Sequence, residues 1–412
     1  MRTPVVLSCY WLACLTALGT FFPIYSLYLS DNLRLSGWQI GLVLSVIPLV
    51  GLIAQPLWGA VADRSGSRTR VLTLLQIGTA LGYAGLHGRT SFGSVVVGTA
   101  MLAVFSTSVM PMSVSVTLAL LRERGRRSFG IVRSFGTMGY LIAVVAFPFV
   151  LHALHPPDAA LGAGAPAEPG LGMFLWVAAG AMVIAALISL LLPRTGAVAL
   201  RAQPGDWKRL ARNGPYVRLL LVMMATYAFL HGPLVMFPMF VSSLGGGVDV
   251  VSRMWIFMIL FEIPLLAMMG ASPAWLGSRE LIALGIGADA VRWLVCAMSP
   301  ALAVIYAVQV LHGVAVAGVV IGCAQYVEAV VPGRLTSTAQ GLVYMMGISL
   351  GGMLSTLIGG ALVDAFGPAS PAMFGGAGAL LLALSLPWIL PPATARTTGD
   401  ASVAAEATLP AV

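Results

Sequence analysis

Charged side chains are scarce in this chain. Of its 412 residues only 9% are Asp, Glu, Lys or Arg, whereas 59% are hydrophobic. A soluble domain cannot cover so much apolar surface with so little charge. The composition therefore excludes a soluble protein and predicts a membrane protein, in which each crossing helix needs about 20 apolar residues.

Motifs for metal, nucleotide and redox chemistry are also missing. The four cysteines all lie within apolar stretches: Cys9, Cys14, Cys296 and Cys323. No pair of them has the spacing of a zinc site, so we expect small core side chains and no metal. The chain has neither a Gly-x-x-x-x-Gly-Lys-Ser/Thr phosphate loop nor a His-Glu-x-x-His string. We therefore expect no enzyme activity and no cofactor.

Twelve apolar stretches are long enough to be membrane spans, numbered here 1 to 12 in chain order. They are 5–29, 38–61, 71–88, 93–121, 131–154, 171–193, 216–242, 252–272, 281–299, 301–327, 338–364 and 370–391. The longest cytoplasmic loop among them is basic and divides the spans six and six. We predict an all-α membrane protein with two six-helix bundles, 1–193 and 216–391, a linker loop, 194–215, and a disordered tail, 392–412.

The basic charge follows this predicted topology. Most of the 22 Lys and Arg residues fall in loops on one side of the spans, whereas the other side holds Arg34, Arg89 and Arg253. The positive-inside rule then places both termini in the cytoplasm. Topology thus explains the net charge of +8, and we expect no nucleic-acid partner. The Ala-, Gly- and Arg-rich usage is typical of a GC-rich bacterium, so we expect the protein in the inner membrane. We also expect it to be a monomer.

A charged turn between spans 2 and 3 is the most informative string. It reads Gly59-Ala-Val-Ala-Asp63-Arg64-Ser-Gly66-Ser-Arg68. Charge near lipid is costly unless it is paired, so such a turn is unusual. The string resembles the loop between helices 2 and 3 of the major facilitator superfamily of transporters, although Val61 and Ser67 depart from its pattern. The resemblance implies two pseudo-symmetric six-helix bundles with a substrate site between them at the midplane.

The same resemblance assigns a gating role to this string. It implies that Gly59 lets span 2 approach span 11, and that Asp63 accepts hydrogen bonds from amides of residues 337–339. The helix dipole there favours negative charge. This latch would hold the cytoplasmic side shut in the outward-facing state. A similar string, from Gly360 to Gly367 with Asp364 inside it, ends span 11 on the opposite face, as an inverted repeat or chance would produce.

Shorter strings narrow the resemblance. They are Gly19-Thr-Phe-Phe-Pro23, Gln55-Pro56-Leu-Trp58-Gly59, Phe129-Gly130-Ile-Val-Arg133-Ser-Phe-Gly136-Thr-Met-Gly139-Tyr140, Arg292-Trp293-Leu294 and Gln309-Val-Leu311-His312-Gly313. In this order they resemble the phenylpropionate-permease-like branch of the superfamily, a relative of lactose permease and the nucleoside:proton symporters.

Ionisable residues inside spans are candidates for proton coupling. Glu262 in span 8 matches by its place a functional Glu of lactose-permease-like symporters, and burial of an unpaired carboxyl favours its neutral form. Asp289 and Arg292 share a face of span 9 and either neutralise each other or let Arg292 alternate among Asp289, Glu262 and substrate. His312 is either a proton relay or a core histidine. Lactose permease has a Glu three residues after this His, where Ala315 stands here, so Glu262 is the preferred proton site.

Arg133 in span 5 is the main candidate for the substrate. The resemblance to lactose permease implies an acid in span 4 as the partner of this Arg, but span 4 of this chain has none, so a carboxylate-bearing substrate would suit Arg133. Alternatively, Arg133 meets Glu262 across the cavity or extends toward the cytoplasm. His231 lies among aromatic residues that suit an aromatic solute or simple core packing. We assign Arg133, Tyr140, His231 and Arg292 to the substrate site.

These features predict a secondary transporter driven by a proton gradient. The preferred cargo is a small organic solute, with an organic anion such as an aromatic carboxylate favoured, taken up by symport through alternating access. Efflux of drugs or sugars, uptake of a larger amphipathic solute such as a siderophore, and a receptor that binds without transport stay open as alternatives. Sodium coupling also stays open.

Overall fold

The computed structural model describes residues 2–121, 125–154, 168, 170–194, 206–269, 277–299 and 301–393. Within these residues the regular elements are helices and no strand occurs. The predicted all-α class is therefore confirmed. The linker residues 195–205 and the tail residues 394–412 lie outside the described residues, as do the side chains of residues 2, 125–127, 206, 266–269, 334 and 337.

Each of the twelve predicted spans overlaps a helix of the structure. The helices are α1 (Arg2–Phe21), α2 (Gly37–Ser65), α3 (Arg68–Leu86), α4 (Phe92–Leu120), α5 (Gly125–Leu154), α6 (Met173–Ser189), α7 (Gly214–Ser243), α8 (Val248–Met269), α9 (Ser278–Met298), α10 (Leu302–Val308 and Leu311–Val330), α11 (Thr336–Tyr344 and Gly352–Phe366) and α12 (Ser370–Ile389). A short helix, Asp206–Ala211, lies in the linker, and π-helical turns at Tyr28–Asn32 and Met345–Gly351 follow α1 and interrupt α11.

Nine of the described helices are long and apolar enough to cross a membrane, and α6 is a shorter apolar helix. This finding establishes a multi-pass membrane protein. The count of twelve crossings, the bundle boundaries and the membrane side of each terminus stay predictions. Many large apolar side chains are exposed, including Trp388 at 82% and Phe149 at 74%. A membrane protein presents such side chains to lipid, so their exposure fits the membrane assignment.

The buried side chains form two large hydrophobic clusters. One cluster draws mainly on α1 to α6 and the other mainly on α7 to α12. A few residues belong to the cluster of the other half: Met236 of α7 packs with the first, and Val144 of α5 packs with the second. The two groups of helices are called the N-half and the C-half below. Sites between them are lined by side chains from both.

Local sequence explains the sharp turn between α2 and α3. Gly66 ends α2 in the left-handed conformation, with φ of 67°, which glycine adopts without a steric penalty. The side chain of Ser67 then caps α3 by accepting a hydrogen bond from Arg70 N. The turn holds Asp63 and Arg68 close together at one end of the molecule.

Candidate substrate and coupling site

The two halves meet tightly at the end of the molecule that carries Asp364. The Asp364 carboxylate accepts hydrogen bonds from Gly37 N at 2.6 Å and from Trp38 N at 2.9 Å, in the first turn of α2. Next to it, a side chain on Gly41 or Gly360 would collide with the backbone of the opposite helix. The carboxylate satisfies amides that the helix leaves unpaired, where the helix dipole favours negative charge. This end is therefore closed between α2 and α11.

A second carboxylate makes the reciprocal contact at the same end. Glu168 of the N-half accepts a hydrogen bond from Val248 N, at the start of α8 in the C-half, at 3.1 Å. His152 of α5 lies 3.8 Å from both Glu168 and Asp249. Each half thus places one acid on the first turn of a helix in the other half.

At the opposite end, the predicted latch of Asp63 is not made in this conformation. Asp63 instead pairs with Arg68 at 2.9 Å, and its side chain is 54% exposed. Arg68 also donates to Ser115 Oγ of α4 at 2.7 Å. On the α11 side, the carbonyl of Ala339 accepts a hydrogen bond from the Tyr216 hydroxyl within the C-half.

Gly59 is correspondingly uncrowded. No heavy atom of another element lies within 4 Å of the place where its side chain would start, so α2 does not press on α11 here. A cavity of about 210 Å³ opens beside it, lined by residues of α2, α3 and α4 that include Trp58, Asp63 and Arg68. The approach of Gly59 to α11 belongs to another state of the molecule and stays a prediction, as do the gating roles of Arg64 and Gly66.

Arg292 and Asp289 form the pair that their spacing predicts. Arg292 is fully buried and donates through Nε to Asp289 Oδ1 at 2.7 Å. Its Nη1 donates to Gln309 Oε1 at 2.8 Å, and its guanidinium carbon lies 4.0 Å from the ring centre of Trp293. In this conformation the self-neutralising alternative holds. Gln309 was missed as a site residue, although it stands in the span 10 string.

Glu262 and His312 also come together. His312 Nε2 lies 3.7 Å from Glu262 Oε2, between α10 and α8. This distance exceeds a hydrogen bond, so the attraction operates when the imidazole is protonated. Among the described residues, no partner hydrogen-bonds to the buried Nδ1 of His312, and the recorded contact of the Glu262 carboxylate is the one with His312.

A cavity of about 160 Å³ unites three of the predicted residues. His231 of α7, Asp289 of α9 and His312 of α10 line it, together with Thr226 and Tyr227. Its other lining side chains are apolar. The polar groups converge inside an apolar wall, which is typical of a small-molecule or proton site.

Arg133 faces this region from the N-half. Its guanidinium carbon lies 4.7 Å from the ring centre of Trp11 on α1, and no described residue accepts a hydrogen bond from it. Among the described acids, Glu262 of the C-half is the one close enough to influence the charge of Arg133, although the two make no ion pair. The structure thus favours the alternative in which Arg133 faces Glu262. Trp11 was missed, because nothing in its local sequence indicates a contact with span 5.

Tyr140 lies deeper toward the Asp364 end, where α5 meets α8. Its ring centre is 6.5 Å from that of Trp255, which is 5% exposed. Trp255 also packs on Phe22, the residue after α1, with the ring centres 5.6 Å apart. The indole nitrogen of Trp255 is buried and has no hydrogen-bond partner among the described residues. These rings cover the site between Arg133 and the closed end.

Comparison with known proteins settles the family. Residues 5–372 match the MFS_1 like family. The chain belongs to the MFS_1 like family. It is 30% identical to maltose permease of Geobacillus stearothermophilus over 84% of each chain. It is 25% identical to the uncharacterized transporter YwbF of Bacillus subtilis (strain 168), over 88% of this chain and 87% of that one.

Solved structures agree with this fold. The nucleoside transporter NupG superposes with a TM-score of 0.80 at 18% identity, covering 95% of this chain and all of the other. The inward open xylose transporter XylE from E. coli superposes with a TM-score of 0.70 at 12% identity, covering 97% and 98%. The expected superfamily and fold are confirmed. This member of the MFS_1 like family is a transporter of the major facilitator type and not an enzyme.

The closed end generates a prediction about conformation. Asp364→Ala removes two charge-assisted hydrogen bonds between the halves, each worth about 1.5–3 kcal/mol. We expect labelling at position 356 by a maleimide, in a Thr356→Cys background of purified protein, to accelerate by about tenfold or more, since 1.4 kcal/mol is a factor of ten in population. Peptide mass spectrometry measures it, because Thr356 is 1% exposed against α2.

Glu280→Ala is the matched control, since it removes an acid whose partner, Arg279, is its neighbour on α9. It should leave the labelling rate unchanged. An unchanged rate in Asp364→Ala would show that this carboxylate does not hold the end closed.

Proposed function

We propose that this protein imports a small organic solute across the bacterial inner membrane by proton-coupled alternating access. It acts as a monomer without a cofactor, with both termini in the cytoplasm. The observation that carries the proposal is the set of ionisable groups inside the spans, Glu262 with His312 and Arg133 facing them. Charged groups at this depth are expensive, and in transporters they mark ion and substrate paths. With Asp63 on the cytoplasmic side, the conformation described is open inward.

Within this set, Glu262 and His312 carry the proton. Protonation of Asp289 would leave the fully buried Arg292 without its counter-ion, which is strongly unfavourable. Asp289 therefore acts in coupling as the fixed partner of Arg292. Glu262 is free of such a bond, and its side chain is 28% exposed. A proton can reach it and leave it without breaking a buried ion pair.

The solute takes the place of Glu262 beside Arg133. When Glu262 accepts a proton, the charge of Arg133 loses its balance, and an organic carboxylate restores it. One proton and one monoanion then load together, so the occupied and the empty cavity carry the same net charge. After release, the ionised Glu262 again balances Arg133. The cycle is electroneutral symport, in which Tyr140 and His231 supply the walls of the site.

A neutral sugar is the second candidate solute. It is favoured by the 30% identity with maltose permease, which covers 84% of both chains. In that case Arg133 would keep Glu262 as its partner, and both would bind hydroxyl groups. The two candidates differ in charge, so a transport assay separates them.

Uptake into proteoliposomes tests the proposal. We expect an aromatic monocarboxylate such as 3-phenylpropionate to accumulate when the outside is acidic, and maltose, uridine and a siderophore to accumulate far less. A membrane potential without a pH gradient should drive no accumulation, because one proton and one anion cross together. Equilibration of the solute without a response to the pH gradient would contradict proton coupling, and greater accumulation of maltose than of the carboxylate would favour the second candidate. Movement outward, against an inward proton gradient, would indicate efflux.

Glu262→Gln tests the proton site. The amide cannot ionise, so we expect accumulation driven by the pH gradient to fall to background, while exchange of labelled for unlabelled solute continues. Glu280→Gln is the matched control, because Glu280 pairs with Arg279 at the surface, outside the cavity. Retention of pH-driven accumulation in Glu262→Gln would place the proton elsewhere.

Asp63→Asn tests the gate at the cytoplasmic end. The residue lies far from the solute site in this conformation and makes its predicted contact only in the outward-facing state. We expect the rate of transport to fall by about tenfold, which corresponds to 1.4 kcal/mol lost from that state. Equilibrium binding of the solute, measured by calorimetry, should change little. A large loss of binding would contradict a purely gating role.

A further inference from the structure

A buried guanidinium needs a partner that compensates its charge, and the side chain that lies against that of Arg133 is the ring of Trp11. The residue is fully buried in α1, and its indole Nε1 donates to Thr117 Oγ1 of α4 at 2.9 Å. Thr117 in turn donates to the carbonyl of Ser113 at 2.7 Å. This chain of bonds fixes the rotation of the indole ring. Its face therefore has a set direction toward Arg133 before any solute arrives.

The space for the guanidinium is built into α5. A side chain on Gly136, one turn beyond Arg133, would lie 3.0 Å from Arg133 Nη1 and 2.8 Å from Leu15 Cδ1. At Gly139 a side chain would collide with the backbone of Leu12. The two glycines bring α5 close to α1, so Arg133 lies over the ring of Trp11 rather than beside it.

A ring face and a carboxylate leave an arginine in different chemical states. A cation over an aromatic ring gains about 0.5–2 kcal/mol, but the ring face takes none of the five N–H donors at the guanidinium edge. A carboxylate would occupy two of those donors and would offer acceptor oxygens to sugar hydroxyls. Trp11 does neither. The edge of Arg133 donates no hydrogen bond to the described residues, which suits a planar, bidentate acceptor.

We infer that Trp11 is a specificity-determining residue, which holds Arg133 as a free bidentate donor and selects carboxylate-bearing solutes over neutral polyhydroxy solutes. The inference rests on the proposed function and deepens it, because it assigns the choice of solute to one contact between α1 and α5. It also explains why α4 carries hydroxyl groups in place of an acid. Thr117 supports the ring that serves as the partner of the cation.

The test compares selectivity among four variants of the full chain in proteoliposomes. The probes are 3-phenylpropionate and maltose, and the measure is the ratio of their kcat/KM values. Trp11→Leu removes the ring face, and we expect KM for the carboxylate to rise about tenfold at nearly constant kcat. Trp11→Phe keeps an aromatic ring face for Arg133 but loses the hydrogen bond to Thr117. Thr117→Val keeps the indole ring but removes the hydrogen bond that fixes its rotation. Both should raise KM about threefold. Trp11→Glu supplies the competing carboxylate and should reverse the preference toward maltose.

Tyr10→Phe is the control for damage to packing. Tyr10 is equally buried in α1 and bonds to Ser113, but it does not touch Arg133. Its ratio should stay that of the parent protein. General damage lowers uptake of both probes together, whereas loss of selectivity changes their ratio, so Trp11→Phe and Thr117→Val decide the matter even if Trp11→Leu does not fold.

The outcomes separate the two proposals. If the parent protein takes up 3-phenylpropionate and the ratio is unchanged in Trp11→Phe, Thr117→Val and Trp11→Glu, the role of Trp11 is wrong and the proposed function stands. If the parent protein prefers maltose, the inference is overturned while proton-coupled transport survives. If the pH gradient drives uptake of neither probe, both the proposed function and the role of Trp11 are wrong.

Discussion

Burial of charge is the constraint on which the rest of this structure depends. An ion taken from water into the interior of a protein costs several kcal/mol unless a partner compensates it. The two arginines inside the spans, Arg292 and Arg133, have different kinds of partner. Arg292 is bonded to the carboxylate of Asp289, whereas Arg133 lies on the ring of Trp11 and faces Glu262 from a distance. Arg292 is thus paired with a carboxylate within its own half. Arg133 donates no hydrogen bond to the described residues, and in the proposed function its donors receive the solute.

The same constraint operates at the two ends of the α2–α11 contact. At one end Asp364 is bonded to the amides that begin α2, and at the other end Asp63 is held by Arg68 within its own half. A carboxylate at a helix N-terminus gains from both the free amides and the dipole. In the proposed alternating-access cycle, the contact of Asp63 with α11 would form when the contact of Asp364 with α2 is released. Glycines at the crossing allow α2 and α11 to touch where they meet.

Relatives that share this fold include a nucleoside transporter, peptide transporters and a xylose transporter. The fold therefore identifies a transporter but does not identify the chemical class of its solute. In this chain the proposed solute site depends on few side chains that come from separate helices. Trp11, Thr117 and Arg133 stand on α1, α4 and α5, and Glu262 belongs to α8. Under that proposal, a small change in this group would alter the solute without changing the rest of the molecule.

The sequence by itself determined what depends on neighbouring residues. The apolar stretches predicted the helices, and a spacing of three predicted the bond between Asp289 and Arg292, because helical periodicity relates positions within one turn. The resemblance also predicted site roles for Glu262, from its place in span 8, and for His312, from the span 10 string. Only the tertiary structure decided that Trp11 lies beneath Arg133, and that Asp364 reaches an amide 327 residues away in the chain. Such partners are brought together by the packing of whole helices, which local spacing does not encode.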